Sequence, residues 1–171
     1  DDSILDSVNN RLGGTGSGNG NFTGLAYTID KTPIVRWIMR ASANPSTAVS
    51  VDYSVAFSAE VTGVDVTDFT LTTTGLTGAS VTSVTGSGAN YTVTVNTGSN
   101  NGTLRLDLID DGSIVDTFST PLGGAGTQNF TGGQIYTIDR TVPTVRWLNR
   151  SSTNPSGAAT VTYTLSFTEP V

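Results

Sequence analysis

Tyr136-Thr137-Ile138-Asp139-Arg140-Thr141-Val142-Pro143 repeats, with one insertion, the earlier stretch Tyr27-Thr28-Ile29-Asp30-Lys31-Thr32-Pro33. Both run on into Val-Arg-Trp, at Val35-Arg36-Trp37 and Val145-Arg146-Trp147. The step from Trp37 to Trp147 exceeds that from Tyr27 to Tyr136 by a single residue, Val142 in the second junction. The chain therefore reads as a repeat array with a period of about 110 residues, the size at which a β-sandwich buries its own core.

Outward from this junction the copies continue on both sides. Val35, Arg36, Trp37, Arg40, Ser42, Asn44, Pro45, Ser46, Ala48, Val51, Tyr53, Phe57 and Val61 recur one period later, from Val145 to Val171. Upstream, Ser3-Ile4-Leu5-Asp6 parallels Ser113-Ile114-Val115-Asp116, and Asp1-Asp2 parallels Asp110-Asp111 with Gly112 absent from the first copy. The glycine-rich stretches 13–24 and 123–132 correspond and differ in length, as surface loops tolerate. Three segments follow: residues 1–30 as the C-terminal part of a preceding repeat, 31–139 as a complete repeat, and 140–171 as the N-terminal part of the next. Residues 62–109 have no second copy, so the two ends, even joined, lack the middle strands. The expectation is a piece of a longer periodic chain, the alternative being strands supplied by a neighbouring molecule.

Within 31–139 the hydrophobic period is two. Val51, Tyr53, Val55 and Phe57 alternate with Asp52, Ser54 and Ala56, the signature of a strand with one face buried. Tyr91, Val93 and Val95 alternate with threonines, and with Val81 and Val84 across Gly86-Ser87-Gly88 they predict a hairpin. Leu104, Leu106 and Leu108 alternate with Arg105 and Asp107, predicted to point outward. Further strands are expected at 34–40, 71–73, 114–115 and 134–138, with a short closing strand at 25–29 in the first segment and one helical turn in 64–69. Strict alternation in 34–40 would place Val35, Trp37 and Met39 on one face. Seven or so short strands, punctuated by turn signals at regular short intervals, describe an immunoglobulin-like sandwich, so the expected fold class is all-β, a tandem array of such sandwiches.

Composition narrows function. Fourteen acidic against eight basic side chains give a net charge of −6, which repels phosphate backbones and anionic lipid. Nucleic acid is excluded as a partner on this reading. The chain has no Cys and no His, so thiol chemistry, Cys/His zinc sites and the usual general base are absent. No apolar run approaches the roughly 20 residues that span a bilayer, so no membrane insertion is expected in this segment. The start at Asp1 without Met and the stop at Val171 in mid-pattern suggest a mature form or an internal piece. The repeated Ser and Thr residues have no base beside them, and the chain is not expected to be an enzyme.

The ordered set of motifs carries a resemblance. The Tyr-Thr-Ile-Asp junctions, Phe167-Thr168-Glu169-Pro170-Val171, Val64-Asp65-Val66-Thr67-Asp68-Phe69 and Thr82-Ser83-Val84-Thr85-Gly86-Ser87-Gly88 together resemble the bacterial immunoglobulin-like repeats found in tandem in very large secreted or surface-anchored proteins. The resemblance covers the whole chain. It departs at Phe57-Ser58-Ala59-Glu60-Val61, which lacks the Pro, and at Val-Arg-Trp, which is bulkier than the family pattern. It implies an extracellular or cell-surface array acting as stalk, adhesin or filament, sometimes stiffened by calcium, with neighbouring repeats or copies of itself as partners. The alternative function is an adhesin module that grips glycan or protein through its loops, where Phe22, Phe118 and Phe130 are the aromatics to test.

Two groups of residues are candidate sites. Asp107, Asp110, Asp111, Asp116 and Asp139 offer oxygen ligands for Ca²⁺, which takes six to eight, although their spacing does not fit an EF-hand loop; the competing reading is a set of solvated acidic turns. Asp65 with Asp68 is a smaller pair that reads first as a helix cap. Glu60 aligns with Pro170 rather than with Glu169, which argues against a fixed ligand role for either. Arg36 with Trp37 and Arg146 with Trp147 read either as core tryptophans or as an interface between successive domains or copies, with Arg stacked on Trp. Lys31 is the one lysine and its counterpart is Arg140, so an isopeptide staple common to every repeat is not expected. Asn21, Asn90, Asn101, Asn129 and Asn149 begin glycosylation sequons, a common chance pattern in so Asn/Ser/Thr-rich a chain.

Overall fold

Alternation becomes sheet in the computed structural model, which describes residues 3–16, 18–29, 31–126 and 128–171. Asp1, Asp2, Ser17, Asp30 and Thr127, used above in aligning the chain start, the glycine loops and the first junction, lie outside the described residues. In chain order the strands are β1 (Val35–Arg40), β2 (Ser50–Phe57), β3 (Val61–Thr62), β4 (Phe69–Thr74), β5 (Ser80–Ser87), β6 (Asn90–Asn96), β7 (Gly102–Leu108), β8 (Val115–Asp116), β9 (Ile135–Ile138), β10 (Val145–Arg150) and β11 (Tyr163–Phe167). A single 3₁₀ turn at Val66–Asp68 is the other regular element among the described residues. The chain is thus nearly all-β, as its short period-two runs require. It divides into two units, Asp1–Lys31 and Thr32–Val171.

In the second unit β1-β2-β6-β5 form one antiparallel sheet and β4-β7-β9 another, with β3 paired to β8. Val51, Tyr53, Val55, Phe57, Tyr91, Val93 and Val95 from the first sheet share one core with Phe69, Leu104, Leu106, Leu108, Tyr136 and Ile138 from the second. That arrangement, two antiparallel sheets facing across one apolar layer, is consistent with a β-sandwich. Ile114 and Leu122, flanking β8, are buried in the same core.

Three buried phenols tie the layers together. Tyr53 Oη donates to Leu104 O at 3.0 Å, crossing from one sheet to the other, and Tyr91 Oη donates to Val61 O at 2.7 Å. Tyr136 Oη accepts from Ser42 N at 2.7 Å and donates to Asp52 O at 2.8 Å, pinning β9 to the β1–β2 connection. The Tyr53 and Tyr136 rings meet edge to face at 5.0 Å. A buried Tyr needs such a partner, because an unmatched hydroxyl in an apolar layer costs about 1–3 kcal/mol.

Two predictions about strands are corrected. Alternation in 34–40 breaks: the β1–β2 register shifts between Val35 and Trp37, so Val35 and Ile38 are buried while Trp37 is only half-buried and Met39 exposed. One extra residue in a bulge moves every later side chain to the other face. Residues 25–29 form no strand, and Tyr27 is 95% exposed where its counterpart Tyr136 is fully buried. β9 pairs with β7, and among the described residues no strand pairs with residues 25–29.

Two pieces of local structure occur twice. The turn after Ile114 has a Val115–Pro121 bridge, an Asp116 carboxylate accepting from Phe118 N and Thr120 N, and a Leu122 N to Ile114 O bond. The first unit has the Leu5–Arg11 bridge, the Asp6 carboxylate accepting from Val8 N and Asn10 N, and the Leu12 N to Ile4 O bond. Likewise β10–β11 repeats the β1–β2 pairing, Val145↔Phe167 matching Val35↔Phe57, with its register shift at the same place. Asn44–Pro45 and Asn154–Pro155 are both cis. The copies differ in burial: Ile4 is 60% exposed against a fully buried Ile114, and Tyr163 55% against a fully buried Tyr53.

Candidate functional site

Each of the five candidate carboxylates is occupied by its own surroundings. Asp107 sits on the outward face of β7, as alternation predicts, yet is buried under Arg105 and Thr72. The Arg105 guanidinium grips it through Nε at 2.7 Å and Nη2 at 3.1 Å, and Thr72 Oγ1 donates at 2.6 Å. Asp110, also buried, accepts from Gly112 N at 2.9 Å and Gln128 N at 2.8 Å, while its own N–H donates to Asn129 Oδ1. Asp110 thereby anchors the glycine loop.

Asp111 accepts from Ser113 N, which holds its carboxyl below the usual carboxylate range, the Ser113 side chain contributing most. Asp116 closes the turn already described. Asp139 accepts from Thr141 N at 3.0 Å and Asn101 Nδ2 at 2.9 Å, and these bonds, the Thr141 backbone foremost, lower its pKa. Four of the five thus accept the N–H two residues on, the Asx turn that short acidic side chains favour. Among the described residues no three acidic side chains gather into a metal-holding group. The structure does not bring the candidate calcium ligands together.

Asp65 caps the 3₁₀ turn. Its carboxylate accepts from Thr67 N, and the Asp68 carboxylate accepts in return from Asp65 N at 2.7 Å, a reciprocal capping box. Asp68 is fully buried, and that burial raises its pKa despite hydrogen bonds from Asp65 N and Ser113 Oγ; the negative charges of Asp65 and Asp111 push the same way as burial.

Trp37 lies in β1 and Trp147 in β10, Trp147 41% exposed, with Arg36 and Arg146 exposed beside them. The bulge takes Trp37 off the face that carries Val35 and Ile38, and the same register shift precedes Trp147 in β10. An arginine–ring contact is made instead by Arg40 of β1 over Tyr136 of β9, between the two sheets, at 5.8 Å from the ring centre. Among the loop aromatics Phe130 is half-buried against the core, whereas Phe118 and Phe22 are exposed.

The junction after β9 has a feature that motif reading missed. Arg140 donates from its guanidinium to Asn100 O at 2.7 Å, Ala48 O at 3.1 Å and Thr97 Oγ1 at 2.5 Å. Asn101 accepts from Arg140 N and donates to both Asp139 and Thr141 side chains. Two loops of the second unit therefore hold residues 139–141 on both sides, where the sequence shows only a sequon and a substitution of Arg for Lys. The Asn100-Asn101 doublet before a glycine was the available signal, since Asn side chains satisfy backbone groups at turns.

No family model, curated protein or solved structure matches the chain. Among the described residues no helix is long and apolar enough to cross a membrane.

Proposed function

We propose that this chain is a stretch of tandem immunoglobulin-like β-sandwich repeats that serves as an extracellular stalk or filament of a large bacterial surface protein. The supporting observation is the turn built twice, bond for bond, one period apart, at 4–14 and 114–124. A turn that recurs with its partners, together with a hairpin that recurs in register, is the construction of an array in which each unit is one bead. In this reading the function resides in length and stiffness, not in a reaction. The Arg140–Asn101 clamp suits it, because a junction held by side chains on both sides resists bending. Outward threonines and serines keep the surface hydrated.

Electron microscopy of the native surface material tests the proposal. Fibres beaded at the length of one sandwich are expected. Isolated particles with no linear periodicity contradict it.

A further inference from the structure

The turn that holds the junction after β9 contains a reactive pair. Asn-Gly occurs twice in the sequence, at Asn19-Gly20 and Asn101-Gly102. In such a pair the glycine backbone nitrogen can reach the asparagine side-chain carbonyl carbon, because glycine has no Cβ to obstruct the approach. Asn101 is exposed, so water has access to it.

Both residues of the second pair are fixed by their surroundings. A Cβ on Gly102 would stand 2.1 Å from Thr74 O and 2.9 Å from Leu76 N, both backbone atoms. Asn101 serves as acceptor and donor together: Oδ1 accepts from Arg140 N at 2.8 Å, and Nδ2 donates to Asp139 Oδ1 at 2.9 Å and to Thr141 Oγ1. An amide supplies both functions, and a carboxylate has no donor. Losing Nδ2 therefore means losing both of the bonds it donates. Asn19, by contrast, donates from Nδ2 to Thr15 O at 2.7 Å.

We propose that Asn101 is a deamidation site, where a slow and irreversible reaction, restrained by the junction's own hydrogen bonds, loosens residues 139–141. Gly102 N attacks Asn101 Cγ. The N–Cγ bond forms, the Cγ–Nδ2 bond breaks, and ammonia leaves with the proton from Gly102 N. Water then opens the five-membered imide at either carbonyl, leaving aspartate or its β-linked isomer at position 101. The product carries a carboxylate where the two N–H donors stood. It faces the Asp139 carboxylate within hydrogen-bond distance, and like charges that close repel. The β-linked isomer also adds an atom to the backbone at the start of β7. This inference rests on the junction geometry and not on the proposed role as a stalk.

Peptide mapping of the purified chain during incubation in mildly alkaline buffer is the test, following the amide-to-acid mass gain at Asn101 and Asn19. Asn19 is expected to convert first. Asp139→Ala combined with Thr141→Val removes both acceptors of Nδ2 and is expected to speed conversion at Asn101 on the order of tenfold, the factor that two modest hydrogen bonds supply, with Asn19 unchanged. The converted chain and the Asn101→Asp variant should both be cut by trypsin after Arg140 on the order of tenfold faster than the parent, with amides of β2 and β6 still protected from exchange. Conversion of Asn101 that keeps pace with Asn19 in the parent overturns the proposal, as does an Asn101 that stays intact in the double variant. Trypsin resistance of Asn101→Asp equal to that of the parent also overturns it. So does loss of protection throughout that variant, which would make Asn101 a residue of folding and not of the junction.

Discussion

Asp68 shows how one carboxylate can oppose its neighbours. Burial sets its folded pKa above the unfolded value of about 3.9, so the native state holds a proton where the unfolded chain has lost it. Its contribution to stability therefore declines as pH rises from about 4 through the folded pKa. Asp65 and Asp111 behave oppositely: hydrogen bonds from Thr67 and Ser113 lower their pKa values, and what they contribute above the unfolded value is lost as pH falls through the folded one. In Asp68→Asn the first effect disappears and the others stay. Urea midpoints measured at a series of pH values should show the variant gaining on the parent as pH rises from about 4 toward neutrality. A difference independent of pH across that window contradicts the assignment. At this scale the sequence was legible in the cap of Asp65, since Asp followed three residues later by Asp is local chemistry. The partners of the five calcium candidates were not legible, because spacing alone does not separate a ligand from an Asx turn; for four of them the partner is a backbone N–H that any residue supplies, and for Asp107 it is the Arg105 guanidinium.

Among elements, the clearest strands were those whose side chains alternate without interruption. Residues 51–57, 91–95 and 104–108 gave their faces away because period two is a property of the chain itself. Residues 34–40 did not, since a bulge depends on the partner strand. Residues 25–29 also failed: their pattern matches β9, but the pairing that makes β9 a strand comes from β7. The Tyr136 hydroxyl, which links β9 to the β1–β2 connection, was likewise invisible, its acceptor and donor being distant in the sequence. Removing it strands Ser42 N, whereas Asp52 O keeps its bond from Ala41 N. Tyr136→Phe should therefore cost about 1–3 kcal/mol, seen as a lower urea midpoint at unchanged slope. Tyr163→Phe, at the exposed end of β11, should leave the midpoint where it is. Equal effects from the two variants would contradict the staple.

At the scale of the whole molecule, the buried core runs from Val35 to Ile138, and the β10–β11 hairpin leaves most of its apolar side chains exposed. Val145, Leu148, Val161, Tyr163 and Leu165 are exposed where Val35, Ile38, Val51, Tyr53 and Val55 are buried. Each such side chain forfeits up to about 1.5–3 kcal/mol of burial. Residues 145–167 keep the hairpin pairing of residues 35–57 without its packing, which is what the proposed array would produce in a repeat lacking its middle strands. The most direct check extends the chain after Val171 with a second copy of residues 62–139 and follows hydrogen exchange at concentrations where the protein is monomeric. The account predicts that amides in β10 and β11 rise from rapid exchange to the protection of β1 and β2. Amides in β10 and β11 that exchange as fast in the extended chain as in the parent would contradict it.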